Sequence, residues 1–138
     1  MITALDTNII SDLLEQTLHS ATVAARLGHY TQQGSLVISG TVYAELHGRR
    51  HTTSADIDTF LTATGIRLDP AMSAAAWAEA GQANADYHAR RRAGGVTGIR
   101  PVLPDFLIGA HAQHHAHRLF TLNPADFADF PQLRVLTL

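Results

Sequence analysis

The sequence predicts an α/β fold, a three-layer α/β/α sandwich around a mostly parallel five-stranded sheet, built as one domain over residues 1–138. Two observations lead there. Five short apolar stretches of strand length alternate with stretches whose apolar residues recur at helical spacing. Strands that alternate with helices need βα crossovers, and these give parallel strands covered on both faces. The length agrees, since one hydrophobic core commonly accounts for about 100–200 residues.

Taken in order, the strands are expected at Ile2–Leu5, Leu36–Ser39, Ile66–Leu68, Leu119–Thr121 and Val135–Leu138, each flanked by polar or turn residues. Between the first two, Ile9, Ile10, Leu13 and Leu14 mark one helix, and Val23, Ala24, Leu27 and Tyr30 a second. Val42, Tyr43 and Leu46 place a helix directly after the second strand, and Ile57, Phe60 and Leu61 place another before the third. A longer helix runs from about Ala71 to Tyr87, with Trp77 and Tyr87 expected in the core. A last helix covers Phe106 to Ala116. Ala93 to Pro104, rich in Gly and Pro, is the single irregular stretch.

Composition removes several function classes. Cysteine is absent, which excludes disulfides and thiolate metal sites. The ten cations are all arginine, so a P-loop enzyme, a lysine Schiff-base enzyme and a receiver-type phosphoacceptor each lack the lysine they need. No G-x-G-x-x-G or G-x-S-x-G occurs. A net charge of −2 does not fit a strongly basic nucleic-acid-binding module. The residues MITALDTNII carry neither a basic n-region nor a cleavage site, and no apolar run reaches the roughly 20 residues of a bilayer span. A soluble, cytoplasmic protein without a membrane partner is expected.

The acids hold the chemistry. In open parallel sheets the ligand crevice lies outside the carboxyl ends of the strands. Asp6 closes the first strand; as a plain helix cap it would serve the helix that begins near Asn8. Glu45 sits in TVYAEL after the second strand, and a capping box from Thr41 would use Ala44 instead. Asp105 follows Pro104 at a helix start, where an acid complements the helix dipole whatever else it does. Asn123 and Asp126 come after the fourth strand in TLNPADF. Each has a local explanation, yet all fall where they can converge on one crevice. Crowded carboxylates repel unless a cation neutralises them, and oxygen ligands without cysteine select Mg²⁺ or Mn²⁺. Ions held in this way suit phosphodiester hydrolysis.

LDTN, ISGTVYAEL, RPVLPDFLIGAHA and TLNPADF before LRVLTL, in this order and spacing over essentially the whole chain, resemble the PIN domain in the form carried by VapC toxins. PDFLIGAHA is the most specific block. The resemblance implies a PIN-like fold and a Mg²⁺- or Mn²⁺-dependent endoribonuclease, the toxin of a toxin–antitoxin pair, silenced by a VapB-like antitoxin and forming a homodimer. It implies Asp6 and Asp105 as principal metal ligands, with Glu45 as a further ligand or as a base toward the attacking water. Thr7 is the small hydroxyl residue beside the first acid. At the fourth position Asn123 stands where the family often has Asp, so either Asn123 or Asp126 completes the site. Two other functions share these features: a PIN nuclease of RNA processing without an antitoxin, and a degenerate PIN domain that binds RNA or protein without cleaving.

Arg90, Arg91, Arg92 and Arg100 flank the irregular stretch before Asp105 and are candidate contacts for an RNA backbone. The plain reading of the run is a helix end, with Gly94–Gly95 as its cap. The histidines of HAQHHAH, His111, His114, His115 and His117, read as a solvated helix face rather than a zinc site, and His47, His51 and His88 sit among polar neighbours. The helical patterns Ile10–Leu14 and Val23–Tyr30 could form an apolar groove for an amphipathic antitoxin segment.

Overall fold

The computed structural model describes residues 1–94 and 102–138. Strands β1 (Ile2–Leu5), β2 (Ser35–Ser39), β3 (Arg67–Asp69), β4 (Arg118–Phe120) and β5 (Val135–Leu136) pair in the order β3-β2-β1-β4-β5, all parallel. The helices are α1 (Thr7–Glu15), α2 (Ser20–Thr31), α3 (Gly40–Leu46), α4 (Ser54–Thr64), α5 (Ala74–Gly94) and α6 (Leu103–His115), and a 3₁₀ turn at Pro124–Phe127 precedes β5. All five expected strands are present, β1 at its expected bounds and the others with an end displaced by one or two residues. β3 starts at Arg67 and β4 at Arg118, because the ladder pairs Thr3 with Arg118 and Val37 with Arg67. The apolar run marks where a strand is buried, while hydrogen bonding decides where it ends.

The inner strands are buried on both faces, as a covered parallel sheet requires. Leu36, Val37 and Ile38 in β2 and Leu119 and Phe120 in β4 are all at or below 5% exposure, whereas Arg67 and Leu68 on edge strand β3 are exposed. At the amino end of the sheet the buried Arg118 donates to Thr3 Oγ1 (2.8 Å) and Gln33 Oε1 (2.6 Å), with its guanidinium 4.5 Å from the Tyr30 ring centroid. Gly34 makes the turn into β2 at φ +153, and a Cβ there would lie 1.7 Å from the Met1 carbonyl oxygen, so only glycine fits.

Helices α5 and α6 pack closely because their facing sides are small. Ala76, Ala80 and Ala83 are buried on α5, and Gly109, Ala110 and Ala112 on α6. Gly109 leaves room for the Phe130 ring, which an added Cβ would approach to 2.5 Å. This alanine stripe corrects the expectation for Trp77. The indole flanks the stripe and is 54% exposed. Tyr87 does pack inward, edge-on to Phe106 at 5.8 Å between centroids.

The histidine run needs a second correction. His111 is not solvated but 1% exposed, because α6 sinks into the core; its Nε2 lies 3.0 Å from Asp69 Oδ2 at the end of β3. His115 Nε2 accepts the Ser73 amide (3.0 Å), and His114 meets Glu79 on α5. These rings fasten α6 to its neighbours. Among the described residues no helix is long and apolar enough to cross a membrane.

Candidate active site

In strand order, β1 is flanked by β2 on one side and β4 on the other, so the direction of winding changes there and a crevice opens between the carboxyl ends of β1 and β4. Asp6 stands at its edge. It leaves β1 with extended backbone (φ −74, ψ 157), donates its amide to the Phe120 carbonyl (3.0 Å) and caps α1, Oδ1 accepting the Thr7 amide at 2.7 Å. Oδ2 accepts the Thr121 hydroxyl at 2.6 Å. The residue is therefore both the plain cap and a crevice acid, and only 5% exposed. Burial pushes its carboxyl above the usual aspartate value. Hydrogen bonds from Thr121 and Thr7 pull the other way, and the charges of Glu45 and Asp126 add to the rise.

Thr121 is a junction that sequence reading passed over. Besides donating to Asp6, its Oγ1 accepts from Asn8 Nδ2 (3.3 Å) and from the Asn123 amide (3.0 Å). Asn8 Oδ1 in turn accepts the Leu122 amide (3.2 Å), tying α1 to the chain leaving β4. The signals were a hydroxyl ending an apolar strand and the Asn of LDTN, and both are too common to identify a site alone.

Glu45 reaches the cleft from α3. Ser39, not Thr41, caps this helix, its Oγ accepting the Val42 amide (3.3 Å), so the capping box considered from Thr41 does not form. Glu45 falls in the last turn, exposed, where the Thr7 hydroxyl donates to its Oε1 at 2.6 Å. Asp105 is the third residue of α6, just after Pro104, in the turn whose free amides favour an anion. Asn123 precedes the 3₁₀ turn and accepts the Asp126 amide on its carbonyl (3.1 Å). Asp6, Thr7, Glu45, Asp105, Asn123 and Asp126 all line one cleft of about 310 Å³, with Asn8 and Ser11. Both alternatives for the fourth position reach it.

The donor set is hard oxygen throughout, four carboxylates and an amide, which fits Mg²⁺ or Mn²⁺ in kind. Among the described residues no three carboxylates or imidazoles stand close enough to chelate an ion as they are. Closure needs side-chain rotation, for which the exposed Asn123 has freedom. Among the described residues the histidines form no zinc cluster either.

A second hollow of about 370 Å³ adjoins the cleft, sharing Asp105 and Asp126 and lined also by Tyr87 and Arg90. Arg90 pairs with Asp129 (2.7 Å), and the Arg91 guanidinium lies 5.6 Å from the Tyr87 ring centroid. Arg92 is exposed at the same helix end. Of the arginine candidates, Arg90 thus comes beside the acids, and Arg100, like Gly95, lies outside the described residues.

No family model matches the chain, and no curated protein matches it by sequence. Solved structures do. VapBC2 from Rickettsia felis, bound to a DNA fragment from their promoter, is 23% identical with a TM-score of 0.72, covering 99% of this chain and 98% of that one. VapBC-1 from nontypeable Haemophilus influenzae is 22% identical (TM-score 0.67, 99% and 98% covered). DNA-bound VapBC from Salmonella typhimurium is 22% identical (TM-score 0.65, 99% and 98% covered). With its five parallel strands and flanking helices, the chain has the PIN-like α/β/α fold of the VapC subunits in these complexes.

Proposed function

We propose that this protein is a metal-dependent endoribonuclease acting as the toxin of a toxin–antitoxin pair. The observation that carries the reading is the single cleft in which Asp6, Glu45, Asp105 and Asp126 meet at the carboxyl end of a PIN-like sheet. A bound Mg²⁺ or Mn²⁺ supplies positive charge against the attacked phosphate and makes water a better nucleophile at neutral pH. Asp6 and Asp105 would hold the ion, with Asp126 or the Asn123 side-chain oxygen as the remaining protein ligand. Asp6 is oriented by its bonds to Thr121 and the Thr7 amide. Glu45 has one oxygen fixed by the Thr7 hydroxyl, which leaves Oε2 to take the proton of the attacking water or to join the ion. Water attacks phosphorus, the 3′ oxygen leaves, and the products are a 3′-hydroxyl and a 5′-phosphate. No protein side chain becomes covalently attached.

A VapB-like antitoxin is the partner this reading supplies. The VapBC complexes support it, as does an apolar groove of about 390 Å³ lined by Leu13, Leu27, Leu36, Phe60 and Ile66, which suits one face of an amphipathic helix. A homodimer and a cytoplasmic setting belong to the same reading. Asn123, which brings no charge to the cleft, favours the alternative of a PIN domain that binds RNA without cutting it.

The test is cleavage of a mixed cellular RNA pool by purified, antitoxin-free protein with Mg²⁺ or Mn²⁺. Discrete products should vanish with EDTA, and the Asp6→Asn, Glu45→Gln and Asp105→Asn variants should each lose at least about 100-fold in rate. Folded protein that cuts nothing with either metal would exclude the nuclease, and an Asp6→Asn variant that cuts like the parent would exclude this cleft as the seat of cleavage.

A further inference from the structure

An apolar hollow of about 580 Å³ opens beside the carboxylate cleft and shares Glu45 with it. Met72, Trp77 and Leu107 provide its walls, and Ser39 and Thr41 add hydroxyls at the start of α3. Trp77 lines this space while 54% exposed, so a large π-face remains in water next to the acids. His111 lines it too. Its Nε2 donates to Asp69, which leaves Nδ1 as an acceptor, and that atom is buried with no hydrogen-bond partner. Leaving such an acceptor unmet is unfavourable. The hollow thus offers an aromatic face and rim hydroxyls beside a buried, unpartnered imidazole nitrogen.

We propose that this hollow is a subsite for one unstacked nucleobase of a single-stranded RNA, next to the phosphate held at the carboxylates, with Trp77 as its stacking face. The proposal rests on the ribonuclease reading. Glu45 lines both spaces, so they are adjacent, and a chain whose phosphate lies in the cleft can reach the hollow within a nucleotide or so. Nucleobases stack on aromatic side chains whatever their sequence, and their edges pair with hydroxyls. The volume falls within the roughly 300–1,000 Å³ usual for small-ligand sites.

Trp77 is the only tryptophan in the chain, so its fluorescence reports on this hollow alone. The experiment titrates the full-length protein, with Ca²⁺ replacing Mg²⁺ to slow turnover, with short fluorescein-labelled single-stranded RNAs spanning a mapped cleavage site. Binding is read by anisotropy and the hollow by indole emission. RNA should quench Trp77, and an abasic residue at one position beside the scissile bond should abolish the quench. Trp77→Ala should weaken binding roughly 5- to 150-fold, and Trp77→Phe should restore most of it. RNA that binds without changing Trp77 emission would overturn the subsite and leave the nuclease intact. So would a Trp77→Ala variant with unchanged RNA affinity and altered sedimentation, which would make this face a contact between copies of the chain. Absence of any cleavage site to map would defeat the ribonuclease reading, and the subsite with it.

Discussion

Thr121 shows how one side chain can govern an acid it does not resemble. Fully buried, it donates to Asp6 and accepts from Asn8 and the Asn123 amide, joining β1, α1 and the turn after β4. Thr121→Val keeps the shape and deletes the hydroxyl, leaving three polar groups short of a partner. The variant is expected to lose about 1–3 kcal/mol in denaturant unfolding. It should also cleave RNA more slowly, because Asp6 loses a bond that favours its charged form. Unchanged stability would mean the junction contributes nothing. The residue scale is also where the sequence was easiest to misjudge. Trp77 looked like core by residue type, yet its exposure follows from which face of α5 carries Ala76, Ala80 and Ala83.

At the scale of elements, α6 is the helix on which the site depends, since it presents Asp105 and is anchored at its far end by His111 and His115. The anchor is sensitive to pH. Burial lowers His111 below its ordinary value of 6.5, with Asp69 opposing and His115 assisting. At Asp69 burial works to raise the carboxyl, but the Ala71 amide and the His111 ring outweigh it and hold it low. A histidine depressed in the folded state contributes stability that is complete above its unfolded value and is lost as pH falls through 6.5 toward the folded value. The thermal stability of the parent should therefore fall more steeply as pH drops below about 6.5 than that of His111→Gln, whose amide can still donate to Asp69. Identical slopes would show that His111 does not titrate differently on folding. The alternation of β and α elements was legible because strand and helix have different apolar periods. Strand ends were not, since the ladder and not hydropathy sets them, and Ser39 replaced Thr41 as the cap of α3 because the turn begins one residue after β2.

For the whole molecule, the cleft concentrates four carboxylates in a chain whose net charge is only −2, so an ion that neutralises them should stabilise the fold. Mg²⁺ or Mn²⁺ at about 100 times its dissociation constant should add about 2.7 kcal/mol, raising the melting temperature by roughly 5–10 °C. The shift should disappear in Asp6→Asn; a shift of the same size there would place the ion elsewhere. Much of this was determined by the sequence alone. The order of strands and helices sends every βα junction to one edge of a parallel sheet; Asp6, Glu45, Asn123 and Asp126 occupy such junctions or the turns just after them, and Asp105 the first turn of α6, which follows α5. Only the tertiary structure decided that Thr7 grips Glu45, that Thr121 grips Asp6, that His111 is buried, and that an apolar hollow with an exposed indole adjoins the acids. The physical reason is range: periodicity and caps are written within a few neighbouring residues, whereas each of these contacts joins side chains from segments far apart in sequence, and which face of a helix they meet is fixed only when the helices pack.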